Sequence, residues 1–170
     1  MKKLIVLLIL LAALLSVSGC SEKIIGNTSS KLGPEINDVL IITQLDHINT
    51  SLQKGPIFVK IGSRWCPACR SMKPILEKLA VEYRGNATIA SVDVDKSPEV
   101  GEYFGVESIP DSFVIVGIEN GKYIYMQKNG KVSMNRSQAR IIGLSGNDDE
   151  EVFEKIIDFA LLQGAKSKFQ

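Results

Sequence analysis

The run "IFVKIG" at residues 57–62 constrains the fold of this chain more than any other stretch. Apart from Lys60 it is apolar on both faces of a strand. A strand of that kind needs cover on both sides, which helices above and below a sheet provide. The flanking sequence supplies them. Leu45, Ile48 and Leu52 share a helical face before the run, and Met72, Ile75, Leu76, Leu79, Ala80 and Tyr83 recur at helical spacing after it, up to Gly85. "VLIIT" (39–43) and the alternating "ATIASVDVD" (87–95) read as further strands, and Pro98 suits the first turn of a helix that Gly105 ends. "SFVIVGI" (112–118) and "KYIYMQ" (122–127) flank "ENG", a hairpin signal, while "KNG" at 128–130 suggests a second turn, with "KVSM" and "ARII" as short strand pieces. Asn147 is placed to cap a last helix. Acidic residues 148–151 lie in its first turn, and Val152, Phe153, Ile156, Ile157, Ala160 and Leu161 share one face. The expectation is an α/β domain over residues 38–170, ordered β-α-β-α-β-α-β-β-α, with a central mixed sheet and helices on both faces.

Ahead of that domain stands "MKK", then the apolar "LIVLLILLAALL", then "SVSGC" ending at Cys20. The apolar stretch is short for a spanning helix, which needs about 20 residues, and suits a signal peptide. "VSGC" resembles a bacterial-type lipobox, which implies cleavage after residue 19 and a lipid on Cys20. An ordinary secretory signal and an uncleaved anchor are the alternatives, and all three put the domain outside the cytoplasm. Residues 20–37, poor in large apolar side chains and containing Ser, Asn and Gly, read as a tether. The net charge of +1, without a basic stripe, gives no nucleic-acid footprint.

Two of the three cysteines lie in "RWCPACR" (64–70), separated by two residues. With Cys20 lipidated, the domain offers Cys66, Cys69 and the single His47, too few for the roughly four ligands of structural zinc. Haem attachment requires His after the second cysteine, where Arg70 stands. A structural staple would close so small a loop that it would restrict the unfolded chain little. The junction of a strand and a helix favours a redox couple instead, because helix N–H groups and the helix dipole stabilise a thiolate on the first cysteine.

In that setting the chain resembles the thioredoxin family. Trp65, Cys66, Pro67, Ala68 and Cys69 match its W-C-x-x-C motif, Pro74 its helix-interior proline, and Pro110 in "SIP" its cis-proline. The stretch "VDVDKSPEVGEYFGVESIP" resembles the family's third strand, the following helix and the approach to that proline. The resemblance spans roughly residues 39–163 and is weakest over 118–142. It implies a thioredoxin-like fold. It also implies that Cys66 attacks a substrate disulfide, that Cys69 resolves the mixed disulfide, and that the backbone of Ile109 pairs with an extended substrate.

Several positions depart from the family pattern. Lys60 stands where many thioredoxins bury an aspartate beneath the second cysteine, and Ser91 replaces a lysine often found with it. Lys60 therefore either lies partly buried against Cys69, as a base or a stabilising cation, or extends to solvent. Pro67-Ala68 replaces Gly-Pro. Asp111 replaces the threonine common after the cis-proline, and reads either as an acidic group selecting substrates or as a solvated turn residue. The segment from 117 to 142 exceeds what a minimal thioredoxin needs, and Tyr123, Tyr125, Met126 and Met134 within it read as docking surface or strand core.

The expectation is a monomeric thiol–disulfide oxidoreductase outside the cytoplasm, anchored to a membrane by lipid on Cys20. It would reduce disulfides in partner proteins with electrons from a donor at the membrane, and need no cofactor beyond the Cys66–Cys69 couple. A dithiol oxidase or isomerase for exported proteins is the alternative within that class. A module holding Cu(I) between the two thiolates is the alternative outside it.

Overall fold

The computed structural model describes residues 38–142 and 148–167. The leader, Cys20, the tether and Asn147 lie outside the described residues. Strands β1 (Leu40–Ile42), β2 (Ile57–Gly62), β3 (Thr88–Asp93), β4 (Asp111–Glu119), β5 (Lys122–Met126), β6 (Val132–Ser133) and β7 (Ile141–Ile142) form one sheet, in the order β1-β3-β2-β4-β5-β6 with β7 also against β4. β1, β3 and β2 run parallel, whereas β4 is antiparallel to β2, β5 and β7. The sheet is mixed, as its sequence pattern predicts.

All six residues of β2 are buried. Alternation along the strand sends Phe58 to one face, among residues of α3 (Lys73–Glu82) and α5 (Asp148–Ser167). Ile57, Val59 and Ile61 go to the other, among residues of α1 (Leu45–Leu52) and α4 (Pro98–Tyr103). Each helix contributes the apolar face read from its spacing: Leu76, Leu79 and Ala80 from α3, and Phe153, Ile156, Ile157 and Ala160 from α5. Phe58 and Phe153 meet edge to face, with ring centroids 4.9 Å apart. The Tyr83 hydroxyl donates to the Asp158 carboxylate at 3.0 Å and so ties the end of α3 to α5.

The helix after the cysteines is two pieces. α2 (Pro67–Ser71) stops, Met72 intervenes, and α3 begins at Lys73. Pro74 is the second residue of α3 rather than an interior one. It has no N–H to donate, so it is tolerated at a helix start. The hairpin turn has Asn120 and Gly121 at φ 51° and 73°, the positive values that a two-residue turn between twisted strands requires.

The segment after β5 folds as β6, a 3-10 turn over Arg136–Gln138, and β7. Tyr123, Tyr125 and Met126 are core, 7% exposed or less, while Met134 is exposed. None of the helices among the described residues is long and apolar enough to cross a membrane.

Phe153 is fully buried and bridges α5 to the central strand. Phe153→Ala is expected to cost about 3–5 kcal/mol, read as a lower urea midpoint with an unchanged slope.

Candidate active site

β2 ends at Gly62, and the chain turns through Ser63, Arg64 and Trp65 into α2. The parallel register sets Gly62 opposite Asp93, so the residues just past β3 reach this turn. Asp95 accepts from the Ser63 hydroxyl at 2.7 Å and from the Trp65 indole N–H at 3.3 Å, while the Trp65 backbone N–H donates to Ser63 Oγ at 3.2 Å. From the other side, Arg70 Nη1 donates to the carbonyls of Arg64 and Trp65, both at 3.0 Å. The loop carrying the cysteines is therefore held by side chains at both ends. Its Trp65 remains 67% exposed.

Cys66 is the N-cap of α2 and Pro67 its first residue, with φ already suited to the helix. Cys66 and Cys69 form a disulfide, with Cα atoms 5.2 Å apart. The Cys69 N–H donates to Cys66 Sγ at 3.1 Å. Both cysteines are buried, while Pro67 and Ala68 are exposed. Cys69 lines an open groove of about 330 Å³ on the α3 side, together with Lys60, Gly62 and Ser91.

The Ile109–Pro110 peptide is cis. Pro110 precedes β4, whose first residue, Asp111, is in register with Ile61 of β2. That pairing brings the segment before β4 alongside the end of β2, from which the cysteine loop departs. Pro110 is buried and Ile109 half-buried.

Asp111 corrects both readings of its sequence position. It is neither a solvated turn residue nor an acidic group offered to substrates, because it is 0% exposed. Both carboxylate oxygens accept from Arg136 Nη1 at 3.1 Å, and Oδ2 also accepts from Arg140 Nε at 2.8 Å. The same arginines donate to the Gly105 carbonyl and the Ser108 hydroxyl, and the Arg136 guanidinium lies 5.3 Å from the centre of the Phe113 ring. The physical reason is compensation. A buried carboxylate survives only when its charge and lone pairs are met, and two guanidiniums do so here. The segment after β5 thus holds the loop that ends in Ile109 and Pro110.

Lys60 is 7% exposed, and its side chain lines the open groove beside Cys69. Burial pulls its ammonium below the usual lysine range, and the Asp93 charge opposes that only in part. The lysine and the aspartate after the proline announce themselves in sequence as departures from the family pattern. Ser63, Asp95, Arg70, Arg136 and Arg140 do not. Of these, Asp95 alone leaves a trace: an acid two residues beyond Asp93, just past a strand parallel to the one bearing the cysteines.

Asp111→Ala would leave two guanidiniums with no counter-charge in a nearly closed site. It is expected to destabilise the fold by about 3–5 kcal/mol, measured by urea unfolding.

The thioredoxin family model matches residues 38–141. A thioredoxin of Chlorobaculum thiosulfatiphilum is 36% identical over 61 residues, 36% of this chain and 56% of that protein. A thioredoxin of Alicyclobacillus acidocaldarius is 37% identical over 62 residues, 36% of this chain and 59% of that protein. A bifunctional thioredoxin reductase/thioredoxin of Mycobacterium leprae is 34% identical over 87 residues, 51% of this chain and 19% of that protein. This chain therefore spans less than two thirds of the length of each. In fold it is similar to Trichomonas vaginalis thioredoxin, with a TM-score of 0.55, 21% identity and coverage of 72% of this chain and 98% of that one. On the family match over most of the described domain, this chain belongs to the thioredoxin family.

Proposed function

We propose that this protein is a thiol–disulfide oxidoreductase that reduces disulfides in partner proteins outside the cytoplasm, held at the membrane by a lipid on Cys20. The observation that carries the reading is the Cys66–Cys69 disulfide at the start of α2, in a loop beside the cis Ile109–Pro110 peptide. Cys66 attacks the substrate disulfide and Cys69 displaces the reduced substrate from Cys66. The exposed Trp65 and the backbone of Ile109 serve as the surface along which an extended substrate lies. The basic and apolar leader ending at Cys20 supports the location and the anchor. A reductase in that compartment draws its electrons from a donor at the membrane.

One observation favours a second reading. The Lys60 ammonium lies close to Cys69, and a cation there stabilises the reduced thiolate and makes the couple more oxidising. That would suit a dithiol oxidase or isomerase.

The reduction potential of the Cys66–Cys69 couple separates the two. A value near the roughly −270 mV of thioredoxins is expected, and one near the roughly −120 mV of strong dithiol oxidases would reverse the direction proposed. Turnover of a protein disulfide with a thiol donor should vanish in Cys66→Ser. Stoichiometric Cu(I) binding by a wild type without such turnover would count against an enzyme.

A further inference from the structure

A lysine ammonium inside a protein normally sits against a carboxylate or backbone carbonyls, because an unpaired charge there is costly. Lys60 is more than nine-tenths buried, and among the described residues its Nζ makes neither an ion pair nor a hydrogen bond. Its position follows from the sheet. Lys60 shares the α3 face of β2 with Phe58 and is in register with Ser91 of β3 and Ser112 of β4. These three polar side chains form a row across an otherwise apolar face. Ser112 is 1% exposed, and its hydroxyl also lacks a partner among the described residues.

Of the three, Lys60 reaches toward the disulfide, past a gap at Gly62. This glycine follows Lys60 by two residues on the same face, and its backbone is not in the left-handed region. What it provides is room. A Cβ there would lie 2.5 Å from Lys60 Nζ and 2.9 Å from Cys69 Sγ. Amine and sulfur therefore converge on one point, where any other residue would push between them.

The other charges around the shared groove are Asp93 and Lys96, from β3 and the turn after it, Arg64 from the loop, Arg70 from α2, and Lys73 and Glu77 from α3. Arg64 pairs with Asp93 at 3.6 Å and Lys73 with Glu77 at 3.4 Å, so Asp93, the charge that bears on the Lys60 amine, is shared with Arg64. Burial favours the neutral amine over the ammonium, and the Asp93 charge opposes it only in part.

We propose that Lys60 accepts the proton of the Cys69 thiol when Cys69 resolves the mixed disulfide. The step rests on the oxidoreductase reading above and balances as follows. The Cys69 S–H bond breaks and its proton passes to the Lys60 amine. The freed electron pair forms the bond to Cys66 Sγ, and the Cys66–substrate S–S bond breaks. The substrate sulfur leaves as a thiolate, which takes its proton from the Lys60 ammonium or from water. Over the whole cycle the two cysteines lose two electrons and the substrate disulfide gains them. Burial makes the neutral amine available at lower pH than on a surface lysine.

The test is a single turnover of the reduced full chain with the small aromatic disulfide of 5-thio-2-nitrobenzoate. The second thiol released reports Cys69 attacking Cys66. In Lys60→Met, which keeps an unbranched stem of similar length, this release is expected to slow at least about tenfold at neutral pH. It should recover as pH rises through the ordinary cysteine range near about 8.5. Lys60→Arg keeps the charge but cannot take a proton, and is expected to be as slow as Lys60→Met. An unchanged release rate and pH profile in Lys60→Met would overturn the proposal, as would full restoration by Lys60→Arg, which would assign the effect to charge alone. In the Cys66→Ser background, the midpoint of Cys69 alkylation against pH should rise by about one unit or more on adding Lys60→Met; no change there also overturns it. Both assays use small reagents, so they remain readable if the wild type fails to reduce any protein disulfide, a result that would defeat the proposed function instead.

Discussion

β2 is buried along its whole length, and its main-chain pairing with β3 and β4 leaves it no freedom to slide. A slip of one residue would turn Phe58 away from α3 and α5, and Ile57, Val59 and Ile61 away from α1 and α4. Register set by packing then sets the chemistry. Opposite the last residues of β2 come Asp93 on one side and Asp111 on the other. The cysteine loop, the Asp95 that holds it, and the cis Ile109–Pro110 peptide are thus assembled by a strand whose own contacts are almost all apolar.

Lys60 is the exception within that strand. Local consistency would favour an apolar residue there, since the position lies on a core-facing side of β2 and among the described residues no carboxylate comes within ion-pair distance, Asp93 acting only from farther off. Where a sequence breaks such a rule without structural compensation, a functional reason is the natural place to look. Gly62 sharpens the point. It gives up strand-forming side-chain surface two residues from the lysine, and the room it leaves connects the amine to the sulfur.

Much of this was legible beforehand. Period-two and 3.6-residue patterns located the elements of both cores, and "ENG" foretold a turn whose central residues have positive φ. The cysteine spacing and Pro110 marked the site through family resemblance. What could not be read depends on contacts far apart in sequence. Asp111 looks like a turn aspartate because the guanidiniums that bury it come 25 and 29 residues later, across two short strands and a 3-10 turn. The break at Met72 was hidden because apolar spacing continues through it, and only main-chain geometry separates α2 from α3.

The two guanidiniums on Asp111 also restrict how the chain can vary. A segment joining a sheet to a last helix is ordinarily the place where insertions and deletions accumulate with little effect. Here Arg136 and Arg140 must arrive at one carboxylate from opposite ends of the stretch between the 3-10 turn and β7, and each also grips the loop from Gly105 to Ser108. Changing the length of that stretch would misalign one guanidinium while the other stayed in place. Residues outside the redox motif are thereby subject to the same constraint on length as the motif itself.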